Sequence, residues 1–249
     1  RLGEALAHRK AVRTITKLSP LSDLAADASR DDVRAAVDAS IEESLSALRR
    51  HRLDCLLLHR AEHMRAFGGA IWQRLIEHLE DGTVLSLGVS VQTPLEALAA
   101  LVCPDVVHLQ LPFNLLDWRW RKAGFKMCLA SRRNVTIHAR STYLQGILAS
   151  SDVNVWPRID GVYPQALINI IASLTHQLGR ESAADLCLAY ARGQDWIDGV
   201  VVGLETEDQL DDNLRLFIKR PLTAEECAFV ESRIPHLPIA LLNPASWPK

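Results

Sequence analysis

Six short apolar runs, separated by segments with helical periodicity, constrain the fold more than any other feature. The runs are Ala11–Lys17, Asp54–His59, Val84–Ser90, Val106–Gln110, Val135–Arg140 and Gly199–Gly203. Buried parallel strands read as continuous apolar runs, and an alternating strand–helix order requires right-handed crossovers. The pattern therefore predicts an α/β fold with a parallel sheet. Six strands suit an open doubly wound sheet, but no glycine-rich phosphate loop follows the first run, whereas eight strands would close a barrel.

The segments between the runs are typical of amphipathic helices with polar starts. In the first of them, apolar residues recur at three- and four-residue steps from Val33 to Leu48. Helices are predicted over about 29–50, 69–79, 93–102, up to 131, 165–178, 182–192, 206–217 and 223–233. Their starts are marked by residues that cap helix N-termini, namely Ser29, Thr93, Thr206 and Thr223.

Two of the apolar runs end in side chains able to do chemistry. The run Asp54–His59 delivers a histidine, and the run Ala11–Lys17 delivers a lysine. In β/α folds, the carboxyl ends of the strands collect the reactive groups. His59 and Lys17 are therefore the first candidates for catalysis.

Composition excludes several classes of function. The 249 residues are 48% hydrophobic and 23% charged, and this length suits one domain over residues 1–249. A formal charge of −2 gives no reason to expect nucleic acid as a partner, and no apolar run approaches the roughly 20 residues that span a bilayer. The five cysteines are scattered without C-x-x-C spacing, which favours reduced thiols and a cytoplasmic location.

Six segments together resemble the aldo-keto reductase family, in the family's order and over nearly the whole chain. They are Thr14–Lys17, Glu43–His59, Gly82–Ser90, Gln110 with Asn114, Ser141–Leu148, and Gly203 with Gln209–Asn213. The resemblance implies a (β/α)8 TIM barrel that reduces an aldehyde or ketone with NAD(P)H and without a metal. It also implies that this chain starts at the third strand of the barrel.

The resemblance implies roles for individual residues. His59 would orient and polarise the substrate oxygen, and Lys17 would lower the pKa of a tyrosine that donates the proton. That tyrosine and an aspartate of the family match positions upstream of Arg1, and none of the three tyrosines present falls in a matching segment. The residues expected to bind the cofactor are Ser90, Gln110, Arg140, Ser141, Gly203, Gln209 and Asn213.

Three positions depart from the family pattern. Val91 replaces an asparagine that contacts the carboxamide, and Arg140 replaces an aromatic that stacks on the nicotinamide, which a flat guanidinium can also do. Gln209 replaces a base that holds the 2′-phosphate of NADPH, and acidic residues flank it. Acids repel a phosphate and suit a free ribose, so NADH is expected in preference to NADPH.

Other functions stay open at this point. The missing tyrosine, Val91 and the acidic cofactor site also fit an inactive barrel that serves as a nucleotide-sensing or protein-interaction module, and the chain would also fit a truncated product. His59, His63 and His138 invite a zinc-hydrolase interpretation, but no His-x-His pair or strand-end aspartate completes a ligand set, so no metal is expected. Beyond a small carbonyl substrate, no partner or oligomeric state is predicted.

Overall fold

The computed structural model describes residues 2–6, 11–121, 123–132 and 134–248. The strands among these residues are β1 (Ile15–Lys17), β2 (Cys55–Leu58), β3 (Leu87–Ser90), β4 (Val106–Pro112), β5 (Thr136–Arg140) and β6 (Gly199–Val200). The α-helices are α1 (Leu2–Leu6), α2 (Arg30–Leu48), α3 (Ala70–Glu80), α4 (Pro94–Leu101), α5 (Ala123–Ala130), α6 (Pro164–Gln177), α7 (Ala183–Arg192), α8 (Glu207–Ile218) and α9 (Ala224–Arg233). The chain divides into two compact units, residues 1–110 with 127–136, and residues 111–126 with 137–249.

The first unit is built on a parallel sheet in the order β1, β2, β3, β4. All four residues of β2 and of β3 are buried, as expected for strands covered on both faces. Helix α2 contributes Val33, Val37 and Ile41 to the core, and it packs against α3. Because the strands are parallel, their carboxyl ends lie along one edge of the sheet.

The second unit contains β5 and β6, which also pair in parallel, with His138 opposite Gly199 and Ala139 opposite Val200. Helix α7 is its most buried helix, with every residue from Asp185 to Ala191 inaccessible to solvent or nearly so. Buried aromatic rings continue this core, where Phe113 stacks on Tyr190 at 5.5 Å between ring centroids.

The structure confirms the positions of the six predicted strands and the α/β class. The caps are confirmed too, because the side chains of Ser29, Thr93, Thr206 and Thr223 each accept a hydrogen bond from the backbone three residues on. The closed barrel with two further strands and the single domain over residues 1–249 stay predictions.

The last strand is shorter than the apolar run that predicts it. Within Gly199–Gly203 only Gly199 and Val200 form the strand, and the backbone N–H of Val201 still donates to the carbonyl of Ala139 at 2.7 Å. The long segment before α6 contains two 3₁₀ helices, Ile147–Ala149 and Val153–Val155.

A charged cluster joins α2 to α3 on the surface of the first unit. Arg34 donates to both carboxylate oxygens of Glu77 at 2.7 and 2.6 Å, and Arg74 donates to Glu77 at 2.5 Å. Arg74 also donates to both oxygens of Asp38, at 2.6 and 2.9 Å. These hydrogen bonds, first from Arg34 and then from Arg74, lower the pKa of Glu77 to about 2.

The variant Glu77→Gln is therefore expected to melt at a lower temperature than the parent at neutral pH. Because the folded pKa of about 2 lies below the ordinary value of 4.5, the stabilisation is present above the ordinary value and is lost as the pH falls through about 2. Thermal melts across this range measure the difference. Glu80→Gln, an exposed change on the same helix, is the control. A Glu77→Gln deficit that persists unchanged at pH 2 would contradict the ion-pair explanation.

Candidate functional site

Lys17 and His59 lie on adjacent strands at the carboxyl edge of the first unit's sheet. Lys17 is the last residue of β1 and pairs with Leu57, and His59 follows directly after β2. Side chains alternate between the two faces of a sheet, so Leu57 and His59 share the face on which Lys17 lies. Lys17 is half-buried and His59 is exposed. The two predicted catalytic residues therefore share one face and one edge.

Ser90 and Gln110 continue this row on the next two strands. They are register partners at the ends of β3 and β4, and each is only 6% exposed. Gly88 pairs with Leu57 on one side and with His108 on the other, which fixes the same face across all four strands. The four predicted site residues that lie in this unit thus project from one face of the sheet, at its carboxyl edge.

Two local features fix this register. A Cβ at Gly88 would lie 2.6 Å from Cδ2 of Leu57 and 2.7 Å from Cβ of His108, and closer still to the His108 carbonyl oxygen. At the other edge, Thr14 donates to Asp54 Oδ2 from its backbone at 2.8 Å and from its hydroxyl at 2.9 Å. Burial alone would raise the pKa of Asp54, but the hydrogen bonds from Thr14 outweigh it and hold the pKa below its usual range.

The other five predicted residues line one cleft inside the second unit. The cavity has a volume of about 940 Å³. The predicted residues on its walls are Arg140, Ser141, Gly203, Gln209 and Asn213. The cleft is within the usual size for a small-molecule or cofactor site.

A strained turn after β5 forms one wall of this cleft. Ser141, Leu144 and Gln145 have φ of 62°, 45° and 57°, and Gly146 has φ of 86°. Non-glycine residues in the left-handed region are uncommon, and they cluster at ligand sites where surrounding structure holds them. Here Asn114 holds the turn, because its side-chain amide donates to the carbonyl of Ser141 at 3.3 Å.

Thr142 in the same turn bears an unsatisfied polar atom. Its side chain is 1% exposed and lines the cleft, and its hydroxyl has no hydrogen-bond partner among the described residues. A buried hydroxyl without a partner is costly, and a ligand in the cleft would relieve that cost. The turn therefore fits a bound polar ligand.

Helix α8 also lines the cleft, through residues that include Gln209 and Asn213. The backbone of Glu205 donates to Gln209 Oε1 at 2.7 Å, and the hydroxyl of Tyr143 donates to Asn213 Oδ1 at 2.8 Å. The amide of Asn213 in turn donates to the carbonyl of Gln209 at 2.6 Å. Tyr143 was not among the predicted site residues, and its contact with Asn213 joins positions 70 apart in sequence.

The charged residues of the cleft are mostly acidic. Glu181, Glu205 and Asp212 line it together with two cations, Arg140 and Arg215. Sequence reasoning identified the acids next to Gln209 but missed Glu181 and Arg215. No motif marks Glu181, which lies between α6 and α7.

Among the described residues, no group of three or more His, Cys, Asp or Glu side chains is arranged to hold a metal ion. None of the described helices is both long enough and apolar enough to cross a membrane.

Comparisons with known proteins agree on one family. The model of the aldo/keto reductase family matches residues 1–234. L-glyceraldehyde 3-phosphate reductase of Escherichia coli (strain K12) is 22% identical over 219 residues, which cover 79% of this chain and 62% of the reductase. The chain thus spans less than two thirds of the length of the curated relatives it matches. Members of this family are oxidoreductases.

Solved structures show the same fold. The holo form of the aldo-keto reductase AKR11C1 from Bacillus halodurans superposes with a TM-score of 0.77 at 20% identity, over 95% of this chain and 78% of that one. The glycerol dehydrogenase AKR11B4 from Gluconobacter oxydans superposes with a TM-score of 0.68 at 18% identity, over 93% and 75% of the two chains.

Proposed function

The chain belongs to the aldo/keto reductase family, and on that premise we propose that it reduces a small aldehyde or ketone to an alcohol with a nicotinamide dinucleotide. The observation that carries the proposal is the cleft of the second unit. Five residues predicted from the sequence as cofactor ligands, which come from two separate segments of the chain, line a single cavity of about 940 Å³.

The cleft also has features that suit a dinucleotide. A bound polar ligand would account for two of these features, the strained turn after β5 and the unsatisfied hydroxyl of Thr142. Arg140 can stack its planar guanidinium on an aromatic ring. Ser141 and Gly203 would border the dinucleotide, and Gln209 and Asn213 would face its adenosine half. Ser90 and Gln110, in the first unit, stay the residues that the family resemblance assigns to the carboxamide.

When bound, the dinucleotide supplies a hydride for the carbonyl carbon. His59 would donate a hydrogen bond to the carbonyl oxygen and stabilise the negative charge that develops there. The alkoxide oxygen that results takes a proton from an acid or from water, and Lys17, as a cation on the same face of the sheet, would ease this transfer by favouring the ionised form of the proton donor. Both roles use side chains that project from the carboxyl edge of the first unit's sheet, where enzymes of β/α architecture carry their reactive groups.

We further propose that NADH is preferred over NADPH. Three carboxylates line the cleft against two guanidinium groups, and Gln209 carries no positive charge. A 2′-phosphate adds negative charge to a cleft where acids already predominate, whereas a free ribose does not.

The substrate is proposed only as a class. One curated relative is named for reducing L-glyceraldehyde 3-phosphate and one structural relative is a glycerol dehydrogenase. Small polyhydroxylated or phosphorylated aldehydes are therefore the first compounds to assay with this protein. A cytoplasmic location stays the prediction drawn from composition.

The variant Asn213→Ala is expected to weaken dinucleotide binding by roughly tenfold, the effect of losing one or two hydrogen bonds in a partly buried site. Calorimetric titration of the full-length protein measures this. Asn169→Ala, an exposed change on α6, is the matched control and should leave the affinity unchanged. Equal affinities for the parent and Asn213→Ala would remove Asn213 from the proposed site.

The test of the proposed activity is the oxidation of NADH and of NADPH by the full-length protein with a panel of small aldehydes and ketones. Turnover that depends on the carbonyl supports the proposal. Tight dinucleotide binding with no turnover for any carbonyl would instead favour an inactive nucleotide-sensing module. Absence of both would remove the cofactor assignment.

A further inference from the structure

We propose that Glu181 is a specificity-determining residue that disfavours dinucleotides carrying a 2′-phosphate. The reason is that its carboxylate already forms ion pairs with two cations, Arg215 and Lys219. The inference rests on the proposed function, since it assigns a role within the proposed cofactor cleft. It goes further by naming a residue outside the segments that resemble the family's cofactor motifs.

Glu181 is placed between two structural elements. It lies directly before the N-cap of α7, and its backbone N–H donates to Asp185 Oδ2 at 3.1 Å. Its two carboxylate oxygens pair with different cations, Oε1 with Arg215 of α8 and Oε2 with Lys219, the C-cap residue of that helix. One carboxylate therefore bridges both cations at this end of α8.

The surrounding acids leave these cations little remaining attraction for an anion. Arg215 lies 3.2 Å from Asp212 Oδ1, and Lys219 lies 3.6 Å from Asp185 Oδ2. Asp185 is itself 2% exposed and paired with Arg180. Each α8 cation thus faces two carboxylates, of which only Glu181 is shared by both.

The solvent exposure and the charge of Glu181 both indicate that it would compete with a bound anion for Arg215. Glu181 and Arg215 line the cleft, and their side chains are 33% and 55% exposed, so a bound anion could reach them. Hydrogen bonds from Lys219 and then from Arg215 lower the pKa of Glu181, which keeps it charged at neutral pH. A phosphate that approached Arg215 would first have to displace this carboxylate.

Gln209 and Glu205 contribute to the preference for NADH in a different way from Glu181. Gln209 is neutral, and its side-chain oxygen already accepts the backbone N–H of Glu205. Glu205 repels an anion but has no described ion pair with the cations of α8. Removal of Glu181 would take one negative charge from the cleft and would leave Arg215 and Lys219 with one carboxylate each, those of Asp212 and Asp185.

The experiment is a pair of calorimetric titrations, with NADPH and with NADH, on the full-length parent and on Glu181→Gln. The variant is expected to bind NADPH roughly tenfold more tightly, the effect of one unit charge several ångströms from a phosphate at intermediate dielectric. Its affinity for NADH should stay within about twofold. The gain should shrink at high salt, because exposed charges are screened.

Two further variants keep the test decisive. Glu225→Gln, an exposed change on α9 away from the cleft, should leave both affinities unchanged. Adding Arg215→Gln to Glu181→Gln should abolish the gain, whereas Arg215→Gln alone should change little because that cation is already neutralised. This double-mutant cycle separates release of Arg215 from any general loosening of the fold.

The outcomes separate the role of Glu181 from the proposed function. If both dinucleotides bind and Glu181→Gln leaves their affinity ratio unchanged, the role of Glu181 is overturned and the proposed function stands. If neither dinucleotide binds to the parent or to the variant, both are overturned. A selective gain in NADPH affinity that disappears with Arg215→Gln supports the role of Glu181.

Discussion

Replacing His59 by alanine in the full-length protein is expected to lower kcat by about two to four orders of magnitude, the range for loss of a catalytic acid–base or polarising group. The reason is positional. His59 follows β2 at the carboxyl edge and shares the face of Lys17, where a donor to the carbonyl oxygen is needed. Dinucleotide affinity should be unchanged, because His59 is proposed to contact the carbonyl oxygen of the substrate and is not among the proposed cofactor ligands.

Steady-state kinetics with calorimetric titration measure the two effects separately. His51→Ala, an exposed histidine just before β2, is the control and should retain the parent's kcat. A His59→Ala enzyme with the parent's turnover would remove the catalytic assignment. A loss of dinucleotide affinity equal to the loss of turnover would point to unfolding instead of lost catalysis.

Gly88→Ala is expected to destabilise the protein by at least about 3 kcal/mol, which is large for a single methyl group. The new Cβ would lie 2.6 Å from Leu57 and 2.7 Å from the Cβ of His108, so β2 and β4 would both have to shift. That shift would also disturb the register that sets Ser90 opposite Gln110. Thermal melts should show a fall of roughly 6–12 °C for a chain of this size.

Gly124→Ala provides the matched control for this prediction. A Cβ at Gly124 meets nothing within 4 Å, and alanine is favoured over glycine in a helix such as α5. This variant should melt at the parent's temperature or slightly above it. A Gly88→Ala protein as stable as the parent would show that the sheet tolerates a side chain there, and the argument for close strand approach would fail.

The sequence was sufficient for the features that depend on local patterns. Continuous apolar runs located the strands, and the residues that cap helices located four helix starts to within a residue. That Lys17 and Ser90 share a face does not follow from the sequence, because it depends on the register in which β1, β2 and β3 pair.

What the sequence did not reveal depends on long-range contacts. Ser141, Leu144 and Gln145 adopt left-handed backbone angles that no glycine signals, since the surrounding fold imposes them. Tyr143 reaches Asn213, and Glu181 reaches Lys219, over separations of 70 and 38 residues. Neither composition nor sequence motifs reveal these two contacts, because each contact joins residues that are distant along the chain.

Isotope transfer tests the central claim most directly. The full-length protein would be incubated with NADH, and separately with NADPH, carrying deuterium at both positions of C4 of the nicotinamide, together with an aldehyde that it turns over. Mass spectrometry of the alcohol is expected to find one deuterium on the former carbonyl carbon. An alcohol formed without deuterium, or dinucleotide binding with no alcohol from any carbonyl tested, would contradict the proposed hydride transfer.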